Sequence, residues 1–367
     1  MLASWECTRR GLAVLPVNPC DPYHRPADFP KIWLVPSPLG IGQGSTVALG
    51  ILLAVIFLAA TVFVVPAGAS LASGLFYAVA VCSPAVMLGI ERGNPDLVLF
   101  PLVLGAVLVT TRTLARQIVT ALLLVSVTVL KLYPVLAVGF LVRRATRAAL
   151  LVAAVVVAAF LVYVAATYHY IHEILVDIPQ SNVLTYGVRR ASKWFSSLAV
   201  RTIGGPASYR AWDIAILIVG LVFGWLLSRR LRPRLRTPPT EAAARRDLDL
   251  FWAGACIYVG SYAVFLSHDY RLIFLLLTVP QIVRWTRARH TLAFATVPAL
   301  LATLYLDEWT RMPVLRPLLD WWTRVTSVGP DSLSLTFAMI AQFALFAAFV
   351  AWLLATMPAS LPMRGRR

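Results

Sequence analysis

Long apolar runs separated by short polar stretches repeat along almost the whole chain. They fall at about 45–66, 72–90, 95–111, 117–133, 134–142, 148–167, 211–228, 249–266, 271–284, 290–306 and 333–357. Most have the ~17–25 residues that an α-helix needs to cross the hydrocarbon core of a bilayer. Because backbone facing lipid must satisfy its own hydrogen bonds, the pattern predicts an all-α, polytopic integral membrane protein with ten or eleven membrane helices.

The polar stretches divide the chain into three regions. We predict an N-terminal loop at 1–44, a multi-helix membrane domain at 45–357 and a basic cytoplasmic tail at 358–367. Longer loops interrupt the membrane domain at 168–210 and 229–247. The run at 134–142 is too short to span a bilayer alone, so it predicts a broken or partly inserted helix.

Composition supports a membrane protein and affects how the net positive charge is interpreted. The chain is 59% hydrophobic and 13% charged, with a mean hydropathy of +0.78, which is more apolar than a soluble domain of 367 residues needs. A net charge of +17 could suit nucleic-acid binding, but in a membrane protein it fits Arg-rich cytoplasmic loops. We therefore expect membrane lipids, and no nucleic acid, as partners.

The basic residues also orient the helices. If the N-terminal segment lies outside the cytoplasm, the inside loops hold eighteen of the 33 basic residues and three of the 16 acidic ones. Short basic loops stay on the cytoplasmic side of a membrane. The sequence therefore predicts a multi-pass plasma-membrane protein whose 1–44 and 168–210 loops, and whose main polar motifs, lie on the extracytoplasmic face.

The four cysteines match no metal-ligand spacing. Cys82 and Cys256 fall within apolar runs, which favours buried structural residues. Cys7 and Cys20 share the polar N-terminal segment, where they could form a disulfide if that segment lies outside the cytoplasm.

The stretch GIERGNPDLVLF, residues 89–100, places four polar side chains between two apolar runs. Asn94 is a good N-cap, Pro95 suits the first helical position, and Asp96 favours the positive end of a helix. The stretch therefore predicts a helix start. Glu91 and Arg92 are not needed for capping, so they form either a salt bridge or part of a functional site.

The stretch VTVLKLYPVL places Lys131 at the end of a long apolar run. One interpretation is a lysine that reaches the membrane interface, with Tyr133 as an interfacial aromatic residue. The other is a cation for a lipid phosphate, at a point where Pro134 breaks the helix and frees backbone groups.

The stretch FLSHDYRLIFLL packs four polar or aromatic residues into a short turn between apolar runs: His268, Asp269, Tyr270 and Arg271. A tight turn with an Asp–Arg pair is one interpretation. A phosphate-binding arginine beside a His or an Asp is the other.

The 168–210 loop is rich in aromatic and basic residues, including Tyr186. His169 and His172 have a spacing that could serve a metal, but no third ligand is evident, so we predict no metal site. A lid over a carbohydrate or a lipid headgroup and a merely solvated loop are both open.

The order of these motifs resembles glycosyltransferase family 87, within the GT-C superfamily. A Pro-rich first loop is followed by ERGNPDLVLFPLVL, an Arg-containing cytoplasmic turn and VLKLYPVLAVGFLVRR. Gly93-Asn94 and the Lys-Leu-Tyr-Pro sequence at 131–134 match the motifs of that family. The resemblance covers roughly residues 1–285.

The resemblance implies a hexosyltransferase whose donor is a sugar on a polyprenyl monophosphate, with mannose as the first choice. The acceptor is a hydroxyl of a lipid or glycan, the anomeric centre inverts, and no cofactor is required. The residues expected to bind the donor phosphate are Lys131, Arg271 and Arg92. Those expected to bind the sugar or acceptor are Asn94, Asp96, Tyr133, His268, Asp269 and Tyr270.

The family also implies a carboxylate base in the first outer loop, shortly after an initial membrane helix. Here the chain begins inside what resembles that loop. We therefore expect that the first helix, and with it the base, lies upstream of Met1. Within the chain, Asp21 and Glu91 are the candidates.

Two other functions fit a membrane protein of this kind. A lipid or small-molecule transporter should show internal repeats and polar sites near the membrane midplane, whereas these polar groups gather towards one face. A non-catalytic membrane protein of the same fold remains the other alternative, because the expected base is not evident.

Overall fold

The computed structural model describes residues 2–27, 29–65, 69–110, 113–177, 185–203, 209–235, 241–264, 267–309, 317, 320–321 and 330–358. The described chain is almost entirely helical, which confirms the all-α prediction. The basic tail predicted at 358–367 lies outside the described residues from position 359 onward, as do residues 178–184 and 204–208 of the predicted 168–210 loop.

The helices account for most of the apolar runs seen in the sequence. In chain order the α-helices are α1 (Leu2–Arg9), α2 (Thr46–Val62), α3 (Leu71–Val81), α4 (Pro84–Glu91), α5 (Asp96–Val109), α6 (Leu114–Leu130), α7 (Gly139–Arg144), α8 (Arg147–Ala166), α9 (Tyr168–Asp177), α10 (Val188–Ile203), α11 (Tyr209–Leu231), α12 (Ala242–Val264), α13 (Val279–Arg287), α14 (Thr291–Trp309) and α15 (Pro330–Thr356). The 3-10 helices are Lys31–Leu34, Ser37–Leu39, Gln43–Ser45, Tyr133–Val138, Arg232–Arg234 and Asp269–Thr278. Strands β1 (Thr185–Tyr186) and β2 (Ser267–His268) form one antiparallel pair.

Several helices are long and apolar enough to cross a bilayer. Four described segments meet this condition: Gln43–Val62, Arg147–Ala166, Tyr209–Arg234 and Thr336–Thr356. A fifth candidate is the pair α3 and α4, bent by 51°. The outward faces of α2 and α11 carry exposed Ile, Leu, Val and Phe side chains, as lipid contact requires. The protein is thus a polytopic membrane protein, and the count of ten or eleven helices stays a prediction.

The described chain divides into two compact units. The first takes in Met1–Val62 and Ile90–Gln180, and the second takes in Phe63–Gly89 and Ser181–Leu361. This division cuts across the predicted membrane domain at 45–357, whose boundaries remain a prediction.

The first unit begins with a more regular structure than the loop predicted at 1–44. Helix α1 and three 3-10 turns occupy it, and a disulfide joins Cys7 to Cys20. Cys7, Val14 and Phe29 share a small apolar core. A short amphipathic helix with a disulfide can form such a core without a long apolar run, which explains why the hydropathy pattern did not reveal it.

The segment predicted as a broken helix at 134–142 has that character. A 3-10 helix, Tyr133–Val138, leads directly into the short α7, and Phe140 and Leu141 are fully buried. Ala145 then adopts a left-handed conformation with φ +50°. The Thr146 side chain accepts the Ala149 N–H and caps α8.

Helix α12 is largely buried in the second unit, with 14 of its 23 residues buried. It packs against the 3-10 helix Asp269–Thr278, which is ten residues long. A Cβ atom on Gly254 would lie 2.6 Å from the Phe274 carbonyl oxygen, so only glycine allows this approach. Longer 3-10 helices are uncommon, and close packing against α12 holds this one in place.

Helices α11 and α15 pack through two small residues one turn apart. A Cβ atom on Gly220 would lie 2.7 Å from Phe346, and one on Gly224 would lie 2.7 Å from Val350. Small residues at this spacing let membrane helices approach closely, and van der Waals contact then stabilises the pair.

Candidate functional site

The predicted helix start is present, one residue later than the sequence indicates: Pro95, and not Asn94, is the N-cap, and α5 begins at Asp96. Gly93 has φ +52°, and its N–H donates to the Ile90 carbonyl, which turns the chain out of α4. Asn94 Oδ1 accepts the Asp96 N–H at 3.0 Å, so its side chain satisfies the first N–H of α5. Asp96 lies in the first turn of α5 and is fully buried.

Lys131 follows the last residue of α6 and turns inward. Its Nζ donates to Asp96 Oδ1 at 2.6 Å and to Asn94 Oδ1 at 3.2 Å. The Lys131 side chain is 13% exposed and the Asp96 side chain is 0% exposed. The structure therefore favours a buried ion pair over a lysine that reaches out to the membrane interface.

Aromatic residues of the same unit contact Lys131 and the residue that precedes it. Lys131 Nζ lies 5.8 Å from the centroid of the buried Tyr133 ring, within the range of a cation–π contact. Trp33 Nε1 donates to the Leu130 carbonyl at 2.7 Å, and Trp5 Nε1 donates to the Trp33 carbonyl. The N-terminal segment is thereby fastened to the residue next to Lys131.

The electrostatics of this cluster suit an anionic ligand. An ion pair removed from water is retained only where its geometry is good or where it serves a function. Of the two partners, only the Lys131 side chain has accessible surface. A phosphate can therefore contact Lys131, while Asp96 holds the ammonium in position.

Glu91 and Arg92 remain exposed next to this cluster in the sequence. Within the described part of the chain, no ion pair joins them to each other or to another residue. The salt-bridge interpretation of these two charges is therefore not supported, and both side chains are accessible to a ligand.

Asp21 lies in the N-terminal segment, beside the disulfide. Its two carboxylate oxygens accept hydrogen bonds from Arg25 Nε and Nη2, both at 3.1 Å, and Oδ1 also accepts the Tyr23 N–H at 2.9 Å. Partial burial raises the pKa of Asp21, but these hydrogen bonds outweigh it and the pKa lies below its ordinary value. A carboxylate held in this way is a weak base.

A second polar cluster lies in the second unit, where β1 pairs with β2. The Tyr186 and Ser261 hydroxyls are 2.7 Å apart, Ser267 Oγ donates to the Ser261 carbonyl, and Arg271 Nη1 donates to Ser267 Oγ at 3.0 Å. Burial raises the pKa of the Tyr186 phenol to about 12, although Arg271 and Ser261 act in the opposite direction. Tyr186 is therefore neutral at any physiological pH.

The predicted turn at 267–271 consists of β2 followed by the start of the 3-10 helix Asp269–Thr278. Asp269 and Tyr270 are buried, and the His268 and Tyr270 rings stack with centroids 5.3 Å apart. Tyr186 and Ser261 were absent from the predicted site residues. Tyr186 falls in the predicted 168–210 loop, and the sequence does not indicate which residues that loop contacts. Ser261 lies inside an apolar run.

His169 and His172 lie on the first turns of α9. His169 pairs with Glu173 at 3.1 Å and is 92% exposed. In the described ranges, no three His, Cys, Asp or Glu side chains come together as a metal site would require.

The fold and this cluster define a helical membrane protein with a buried, partly exposed lysine at the end of one helix. Residues 32–246 match the sequence model described as Glycosyltransferase family 87. The chain belongs to this family, as its motif order indicated, and is therefore a glycosyltransferase that acts on a sugar donor and an acceptor. No curated protein and no solved structure matches it.

The matched range contains the cluster around Lys131, together with Glu91, Arg92 and Tyr186. Asp21 and the 268–271 residues lie outside it.

Proposed function

We propose that the protein transfers a hexose, mannose in the first instance, from a polyprenyl monophosphate to an acceptor hydroxyl, with inversion at the anomeric carbon. The observation that carries this proposal is the buried cluster of Lys131, Asp96 and Asn94 within the family-matched range. The Lys131 side chain is partly exposed, which supports a contact with the donor phosphate.

In this mechanism Lys131 contacts the phosphate and stabilises the charge that develops as the glycosidic C–O bond breaks. Asp96 is a positioning residue, because it holds the ammonium but is itself inaccessible. Within the same unit, Arg92 is a further candidate for a phosphate contact, and Tyr133 is a candidate for contact with the sugar or the acceptor. The roles of His268, Asp269, Tyr270 and Arg271, which lie in the second unit, stay predictions from the sequence.

A carboxylate removes the proton of the acceptor hydroxyl as its oxygen attacks the anomeric carbon. Of the two candidates in this chain, Glu91 is favoured because it is exposed and forms no ion pair with a described residue. Asp21 is held by Arg25 and has a lowered pKa.

The proposed active face is extracytoplasmic, in the plasma membrane. The charge distribution supports this orientation, and so does the disulfide, since disulfides persist in oxidising compartments. Residues predicted on the same side of the membrane also contact each other. On the predicted outer side, Trp33 Nε1 donates to the Leu130 carbonyl. On the predicted cytoplasmic side, Arg144 Nη1 donates to the Thr110 carbonyl at 2.8 Å.

The proposal is tested by transfer of labelled mannose from polyprenyl-phosphate-mannose to a membrane lipid extract, using protein purified into liposomes. Glucose, galactose and arabinose donors serve as competitors. We expect mannose transfer that is lost in Glu91→Gln and retained in Asp21→Asn. Transfer with none of these donors would contradict the proposal.

A further inference from the structure

A cavity of about 320 Å³ lies among α3, α12 and α13 in the second unit. Its apolar wall is formed by valine, alanine and proline side chains of α12, α13 and the segment before α3. Its polar lining comprises Ser73, Tyr77, Asp247, Arg284 and Arg287. The lining is thus amphiphilic, and it lies apart in the chain from the family motifs at 93–96 and 131–134.

The cations of this cavity are not fully neutralised by protein. Arg284 Nη2 pairs with Asp247 Oδ2 at 3.0 Å, and Arg284 Nη1 lies 3.6 Å from Glu241. Arg287 donates to the Ser70 and Ser73 hydroxyls at 2.7 and 2.5 Å, and it forms no ion pair with a carboxylate of the described chain. The positive charge of Arg287 is therefore available to an anion.

Two buried polar atoms in the lining indicate which hydrogen-bonding groups the anionic ligand has. The Tyr77 hydroxyl and Asp247 Oδ1 have no hydrogen-bond partner among the described residues, although Tyr77 is 6% exposed and Asp247 is 2% exposed. Buried polar groups are normally satisfied, because leaving one unpaired is unfavourable. A ligand that suits both atoms supplies an acceptor to Tyr77 and a donor to Asp247.

We propose that this cavity binds the headgroup of an anionic glycerophospholipid that carries a hydroxyl. The phosphate lies between Arg287 and the Tyr77 hydroxyl, a headgroup hydroxyl donates to Asp247 Oδ1, and the acyl chains follow the apolar wall. Basic pockets between membrane helices recognise lipid headgroups by this chemistry. The segments that line it are predicted on the cytoplasmic side, so the lipid belongs to the inner leaflet.

The probe is phosphatidylglycerol, added in detergent micelles to the purified, delipidated full chain. Binding is read by native mass spectrometry and by the rise in the thermal unfolding midpoint. Phosphatidylcholine tests for ordinary lipid solvation, and inorganic phosphate tests for a free anion. The variants are Arg287→Gln and Tyr77→Phe, with Arg245→Gln on the exposed side of α12 as the matched control.

We expect phosphatidylglycerol to bind and to raise the midpoint of the wild type and of Arg245→Gln. Both lining variants should weaken its affinity about tenfold, as expected for one lost hydrogen bond to a charged group. Tyr77→Phe removes only an unpartnered hydroxyl, so it should fold normally. Equal binding in all variants, equal binding of phosphatidylcholine or phosphate, or a cavity that takes up only water would each overturn the proposal. None of these outcomes depends on sugar transfer.

Discussion

At the scale of single residues, the central feature of the candidate site is the buried ion pair between Lys131 and Asp96, which lie 35 positions apart in the chain. Hydropathy and capping rules describe neighbours along the chain. They do not say that the end of α6 meets the start of α5, because that contact depends on how the helices pack.

The buried pair predicts an unusual stability pattern. Lys131→Met leaves Asp96 as an unpaired buried charge, which should lower the free energy of unfolding by about 3–5 kcal/mol. Adding Asp96→Asn should restore most of that loss, because no buried charge remains. Denaturant unfolding in detergent measures the stability, and mannose transfer measures the function.

The double variant should remain inactive, since the phosphate has lost its cation. An active double variant would show that the pair is structural only.

Asn94→Ala removes the hydrogen bond to the Asp96 N–H and one contact of Lys131 while keeping the charge pair. It should therefore reduce mannose transfer without abolishing it.

Asp21 predicts a pH effect. Because its pKa is lowered in the folded protein, the pair with Arg25 contributes its full stabilisation above the ordinary pKa of 3.8 and loses it as pH falls further. Asp21→Asn should therefore be less stable than wild type at pH 7, by less than about 1 kcal/mol. The difference should shrink as the pH falls below 3.8 and vanish once the folded-state carboxyl is protonated. A difference that persists in acid would contradict the ion-pair explanation.

At the scale of elements, the apolar runs predicted the long helices and missed the 3-10 helices. Tyr133–Val138 and Asp269–Thr278 are apolar, and hydropathy cannot distinguish a 3-10 helix from an α-helix. Both lie beside a predicted site motif, Lys131 in one case and Arg271 in the other. The irregular backbone therefore coincides with the residues expected to act, as it does where membrane helices are broken at binding sites.

The close contact between α12 and the second 3-10 helix is testable. A methyl group at Gly254 would lie 2.6 Å from the Phe274 carbonyl and 2.9 Å from Thr278, so Gly254→Ala must displace the 3-10 helix. We expect a loss of about 1–3 kcal/mol in stability and lower transfer activity. Gly74→Ala on α3 is the control, because nothing lies within 4 Å of its added methyl group. Equal behaviour of the two variants would show that this approach is not essential.

At the scale of the whole molecule, composition and charge predicted the class and the orientation. They could not predict which loops meet, since the positive-inside rule assigns sides and not neighbours. The pairing of β1 with β2 and the cavity among α3, α12 and α13 depend on lateral packing. The N-terminal segment was likewise predicted to be a loop, because its small disulfide-bonded core carries too few apolar residues to give a periodic signal.

The orientation can be measured directly. In a background with Cys82 and Cys256 changed to Ala, a single cysteine is placed at His169 or at Arg230, both exposed. A membrane-impermeant maleimide should label the first in intact cells and the second only after permeabilisation. The reverse pattern would invert the topology and move the proposed active face to the cytoplasm.

The bond between Trp33 and the Leu130 carbonyl also bears on the timing of synthesis. The two residues are 97 positions apart, so at 5–20 residues per second roughly 5–20 s pass between their emergence from the ribosome. During that interval the core around Cys7, Val14 and Phe29 can form, whereas Trp33 still lacks the Leu130 carbonyl. The N-terminal segment therefore completes its packing only after α6 has been made.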